Sequence, residues 1–75
     1  MTLNPWRLRL LCQLEALGTV RAVASAANQS ASSVSQQLSV LERETGARLL
    51  ERTGRRVQLT TAGHVLASRA RDILD

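Results

Sequence analysis

The sequence predicts an all-α domain with one small two-stranded β hairpin, and three observations predict it. Apolar residues make up 44% of the 75-residue chain, enough for one compact core. That apolar content is dominated by Leu and Ala, with Trp6 the sole aromatic residue, a composition that favours helix over strand. Segments with apolar residues at helical spacing lie between capping residues, and a single glycine-containing turn between two short extended runs interrupts the series. A chain this short forms one domain and removes only about 60–65% of its unfolded surface from water, so the core is expected to be thin.

Asn4-Pro5 reads as an N-cap followed by proline in the first helical turn. Trp6, Leu10, Leu11, Leu14 and Leu17 then share one helix face, and Gly18 stops the helix. Thr19 caps a short second helix whose apolar positions are Val20, Val23, Ala24 and Ala27, small enough to let another helix approach closely. Asn28 and Gln29 break that pattern, and Ser30 caps a third helix buried along the narrow stripe Val34, Leu38 and Leu41. The rest of that helix is a broad face of short hydrogen-bonding side chains, including Ser32, Ser33, Ser35, Gln36, Gln37 and Ser39, before Gly46 closes it. A purely structural surface helix would usually carry paired charges there. Leu49–Arg52 and Val57–Leu59 flank Thr53-Gly54-Arg55-Arg56 as a hairpin, with Arg55 and Arg56 at the tip and Arg52 close behind, where Arg52 can also pair with Glu51. Thr60 caps a last helix running to Asp75, with Val65, Leu66, Ala70, Ile73 and Leu74 on its apolar side. That stripe suits ordinary core or a partner helix, and the lack of a later element to cover it favours the partner.

Charge and cysteine usage narrow the function classes. The chain carries a formal charge of +4, and every basic residue is Arg. Arg presents a planar donor fork that fits phosphate oxygens and guanine edges, which points to nucleic acid. The same balance also suits an anionic membrane or an acidic partner, and a GC-rich genome accounts equally well for the missing Lys. Cys12 is the single thiol, so neither an internal disulfide nor a cysteine zinc site can form, and a packed small residue is its expected role. A small domain without either staple often relies on a partner surface. No apolar run approaches the ~20 residues of a membrane span, and Arg7 and Arg9 interrupt any signal-peptide core, so a cytoplasmic protein is expected. His64 has no second ligand at metal spacing and is expected as an exposed helix residue, with no metal and no cofactor. No nucleophile–base–orienter set and no glycine-rich phosphate loop is present, so an enzyme is not expected.

This order of elements describes a winged helix-turn-helix. A helix fits the DNA major groove, short polar side chains near its start can meet base edges, and its N-terminus directs N–H groups at a phosphate. An Arg on a hairpin tip can enter the adjacent minor groove.

Residues Gly18 to Glu42, GTVRAVASAANQSASSVSQQLSVLE, resemble the helix-turn-helix signature of LysR-type transcriptional regulators. The stretch Glu44 to Gly63, ETGARLLERTGRRVQLTTAG, is similar to that family's wing and the start of its linker helix, and the likeness runs from Trp6 to Asp75. The resemblance implies a bacterial winged helix-turn-helix over residues 1–59 and a C-terminal linker and dimerisation helix over 60–75. It implies that Ala31, Ser32, Ser35 and Gln36 read the major groove, while Ser30 and Ser33 hold the backbone approach and a phosphate. Arg55 is the implied minor-groove residue and Arg56 a phosphate contact, with Thr19, Arg21 and Arg43 also on the DNA backbone. The implied partner is double-stranded DNA at a palindromic operator, bound by a homodimer formed through Val65, Leu66, Ala70, Ile73 and Leu74. A small-molecule effector acts in that family through a separate domain absent from these residues.

Many members carry Gln or Pro where Ala31 stands and Arg where Gln36 stands. Gln at that point favours an adenine contact over guanine. Ala27 and Gln29 occupy positions usually filled by larger apolar residues, and a buried Gln29 amide without partners would cost about 1–3 kcal/mol. The rival reading from another class is a winged-helix protein-interaction module docking through the last helix.

Overall fold

The computed structural model describes residues 3–54 and 56–74, with Leu74 described through its backbone alone. The order is α1 (Pro5–Leu17), α2 (Val20–Ala27), α3 (Ala31–Thr45), β1 (Leu50–Thr53), β2 (Arg56–Leu59) and α4 (Thr61–Leu74). Local chemistry accounts for each boundary. The Asn4 side chain accepts from the Trp6 N–H at 2.9 Å ahead of Pro5, and Gly18 closes α1 at φ 89°, a left-handed conformation that glycine adopts without strain. Thr19 Oγ1 accepts from the Ala22 N–H at 3.0 Å, and Asn28 ends α2 at φ 57°. Thr60 Oγ1 accepts from the Gly63 N–H at 3.1 Å at the start of α4.

β1 and β2 pair antiparallel with Leu50 opposite Leu59 and Arg52 opposite Val57. Alternation therefore turns Leu50, Arg52, Val57 and Leu59 to the helices, and Glu51 and Gln58 to solvent.

One aliphatic core joins Leu10, Leu11 and Leu14 of α1, Val23 of α2, Val34, Leu38 and Leu41 of α3, Leu49 and Leu50, and Ala67 and Ala70 of α4. Two residues expected on the buried face of α1 are corrected. Trp6 and Leu17 are exposed, because they stand in the first and last turns of α1, and Leu8 is buried instead. Ala70, expected at a partner helix, is only 1% exposed and belongs to this chain's own core. The alanines let α4 lie close along α1, where the Cys12 thiol donates to the Ala67 carbonyl at 3.5 Å.

Glu15 ties the same two helices together at the surface. Its carboxylate accepts from His64 Nδ1 at 2.6 Å and from the Arg71 guanidinium, so the exposed His64 has a structural partner. The hydrogen bond from His64 is the largest cause holding the Glu15 carboxyl below its ordinary range; desolvation opposes it, and the hydrogen bond and charge of Arg71 add to the lowering.

Gly63 enters α4 against the Leu49 backbone. A Cβ there would overlap the Leu49 carbonyl oxygen and stand 3.1 Å from Leu59 Cβ. The Leu49 carbonyl already accepts from the Thr60 N–H at 2.9 Å, so it has little freedom to retreat.

Two stability outcomes follow from this packing. Gly63→Ala should destabilise the domain by about 1–3 kcal/mol in urea unfolding, the usual cost of overpacking, despite alanine's better helix propensity. An unchanged or raised midpoint would show that α4 slides away freely. The lowered folded-state pKa of Glu15 means its contribution is present above the unfolded carboxyl value of about 4.3 and is lost as pH falls through the folded value. The stability gap between the wild type and Glu15→Gln, followed by urea unfolding from neutral to acid pH, should therefore close in acid. A gap independent of pH would remove the ion cluster as its cause.

Candidate nucleic-acid interface

The surface of α3 follows from what its other side buries. Val34, Leu38 and Leu41 face the core, so at about 100° per residue the outward ridge runs through Ser32, Gln36, Ser39 and Arg43. Ser32, Gln36 and Arg43 are exposed and Ser39 is half-buried. Adjacent glutamines are thereby sorted. Arg7 of α1 donates through Nε to Gln37 Oε1 at 2.8 Å and through a terminal nitrogen to both Glu44 oxygens at 3.3 Å. Gln37 and Glu44 thus hold α3 to α1, while Gln36 extends outward.

The turn before α3 is organised by hydroxyls. Ser30 Oγ accepts from the Ser33 N–H at 3.1 Å, the N-cap expected from sequence. The Ser33 hydroxyl donates to Gln29 Oε1 at 3.2 Å, which braces the turn. Gln29 is exposed, so the cost of a buried amide does not arise: α2 ends at Ala27 with Asn28 as its C-cap, and the chain turns outward before the position can pack.

Residues from three elements meet in one cleft. It is lined by Thr19 and Arg21 at the start of α2, Ala31 and Ser35 of α3, and Arg56 and Gln58 of β2. Thr19, Arg21, Ala31 and Arg56 are exposed there and Ser35 is half-buried. The free N–H groups at the starts of α2 and α3 add partial positive charge on this side. Ser30 and Ser32 stand exposed beside it, whereas Arg43 lies at the far end of the ridge. The tip residue Arg55 lies outside the described residues.

The two carboxylates of α3 are engaged within the fold. Glu44 pairs with Arg7, and Glu42 Oε2 accepts from the Leu49 and Leu50 N–H groups at 2.9 and 3.2 Å. Sequence alone missed Arg7, Glu42 and Gln58 as contributors, since these contacts join residues far apart in the chain or across the hairpin.

Of the residues assigned to a partner helix, Val65 is 49% and Ile73 77% exposed, and Leu66 is half-buried. Val65 and Leu66 line an apolar groove with Ala47, Leu49 and Ala62. The side chain of Leu74 lies outside the described residues. Among the described residues no His, Cys, Asp or Glu cluster could hold a metal ion, and no helix is long and apolar enough to cross a membrane.

A three-helix turn with a hairpin wing beside the third helix defines a winged helix-turn-helix domain. Residues 6–64 match the family described as bacterial regulatory helix-turn-helix protein, lysR family, and the chain belongs to that family. It is 38% identical over 68 residues to a probable HTH-type transcriptional regulator, LtrA, of Klebsiella pneumoniae, covering 91% of this chain and 22% of that protein. It is 40% identical over 68 residues to a probable RuBisCO transcriptional regulator of Nostoc sp., covering 91% of this chain and 20% of that protein. The chain thus spans about a fifth of the length of the curated relatives it matches. In structure it resembles CbnR DBD in its complex with DNA, with a TM-score of 0.89 and 32% identity over 96% of this chain and 83% of that one. It also resembles BenM DBD bound to benA site 1 DNA, with a TM-score of 0.88 and 28% identity over 96% of this chain and 81% of that one.

The cap geometry makes a direct test of how the ridge is presented. Ser30→Ala should cost about 1 kcal/mol in urea unfolding and Ser30→Gly only a few tenths. Equal losses for the two would mean that the hydroxyl–Ser33 bond contributes nothing.

Proposed function

We propose that this domain binds double-stranded DNA sequence-specifically as part of a homodimeric transcriptional regulator. The observation that carries the reading is the cleft where Arg21, Arg56 and the start of α3 converge beside the exposed ridge of Ser32 and Gln36. α3 enters the major groove, where the Gln36 amide can pair with adenine N6 and N7. Ser32 and Ser35 offer shorter contacts to base edges, and the Ala31 methyl suits a thymine methyl. Ser30, Ser33, Thr19 and Arg21 approach one phosphate backbone with the helix N-termini, Arg56 meets phosphates from the wing, and Arg55 at its tip enters the minor groove. Binding rather than catalysis is the role this surface supports.

Dimerisation through α4 uses the outward residues Val65 and Ile73, with Leu66 at their margin. A two-fold pair of recognition helices would read a palindromic operator whose half-sites lie about one helical turn, ~10 bp, apart. The resemblance to LysR-type regulators supports an effector response carried by a further domain.

The test is fluorescence anisotropy against a pool of duplexes at two salt concentrations, with selection of the bound fraction. Palindrome enrichment with steep salt dependence is expected, and salt-insensitive binding or none would overturn the reading. On the selected site, Gln36→Ala should cost about 1–3 kcal/mol and relax preference at one base pair. Equal loss on random DNA would remove Gln36 from base reading.

A further inference from the structure

A second open hollow lies at the C-terminal half of α3. It is lined by Ser39, Glu42 and Arg43 of α3, by Arg48 in the connection to the wing, and by Leu50 and Arg52 of β1. Arg43, Arg48 and Arg52 are all exposed, and among the described residues none of the three has an ion-pair partner. The single carboxylate in the lining, Glu42, is already engaged by the Leu49 and Leu50 N–H groups. Glu42 sets one negative charge against the three guanidiniums, so the lining keeps a formal excess of two positive charges (three minus one) that an added anion would offset.

The hollow shares Ser39 and Arg43 with the ridge that begins at Ser32. From Ser32 to Arg43 the helix advances roughly 16 Å at about 1.5 Å per residue. That exceeds the ~12 Å width of the major groove, so a helix reading bases with its first turns carries Arg43 to the groove's far edge. Resting on the DNA-binding reading above, we infer that Arg43, Arg48 and Arg52 form a second phosphate cradle. It grips the backbone on the flank of the groove away from Arg21 and Arg56. Arg48 and Arg52 thereby set the footprint and the salt response, while the bases are read at the other end of the helix. Arg52 stands on the helix-facing side of β1 opposite Val57, which places its head at the rim of the hollow rather than beside Glu51 on the solvent face.

The experiment compares the wild type with Arg48→Gln/Arg52→Gln and, separately, Arg56→Gln, on selected and random duplexes between about 50 and 200 mM salt. Thermal unfolding checks that each variant is folded. The double variant should lower the slope of log Kobs against log salt by about two per protomer, since each neutralised phosphate contributes about 0.9. The loss should be equal on both duplexes, and Arg48→Lys/Arg52→Lys should restore the slope. An unchanged slope in a folded double variant, with the slope reduced by Arg56→Gln, would overturn the cradle and leave the DNA reading standing. A loss confined to the selected duplex would also overturn it, because that behaviour belongs to base reading. A wild-type domain without salt-dependent duplex binding would overturn both.

Discussion

Burial of Leu8, Leu10, Leu11 and Leu14 holds α1 at the centre of the domain, and α2, α3 and α4 all pack on that one helix. Each buried leucine is worth roughly 1.5–3 kcal/mol, and no aromatic residue contributes to the core, so close approach must supply what bulk does not. Alanines at the contact points allow it. Polar contacts near the two ends of α1 then orient the neighbours: Arg7 holds α3 through Gln37 and Glu44, and Glu15 holds α4 through His64 and Arg71. One helix therefore aims both the exposed ridge of α3 and the outward residues of α4.

The same contacts shape the electrostatics. Glu15 and Glu44 pair with arginines inside the fold, and Glu42 is held by the Leu49 and Leu50 N–H groups. The exposed arginines along the wing and the α3 ridge are left facing solvent.

The backbone of Leu49 is the junction where these surfaces meet. Its N–H donates to Glu42 of α3, its carbonyl accepts from Thr60 ahead of α4, and Gly63 lets α4 begin directly against it. α3, the wing and α4 are therefore anchored within a few residues of one another. The start of α4 is tied to this junction by the covalent connection from β2 and by the hydrogen bond from the Thr60 N–H to the Leu49 carbonyl.

Local sequence determined much of this protein. Asn4, Gly18, Thr19, Ser30, Gly46 and Thr60 set the boundaries because caps and left-handed turns depend on a few adjacent residues. The spacing of Val34, Leu38 and Leu41 oriented α3, and with it the exposure of Ser32 and Gln36. Tertiary structure alone decided which end residues of α1 escape the core, that Ala70 turns inward, and that Gln29 stays in solvent. It also paired Arg7 with Glu44 and His64 with Glu15, and gathered Arg43, Arg48 and Arg52 around one hollow. Periodicity reports which side of an element is apolar, whereas the neighbour that covers it, and the charge that meets it, depend on chain crossings that no local pattern encodes.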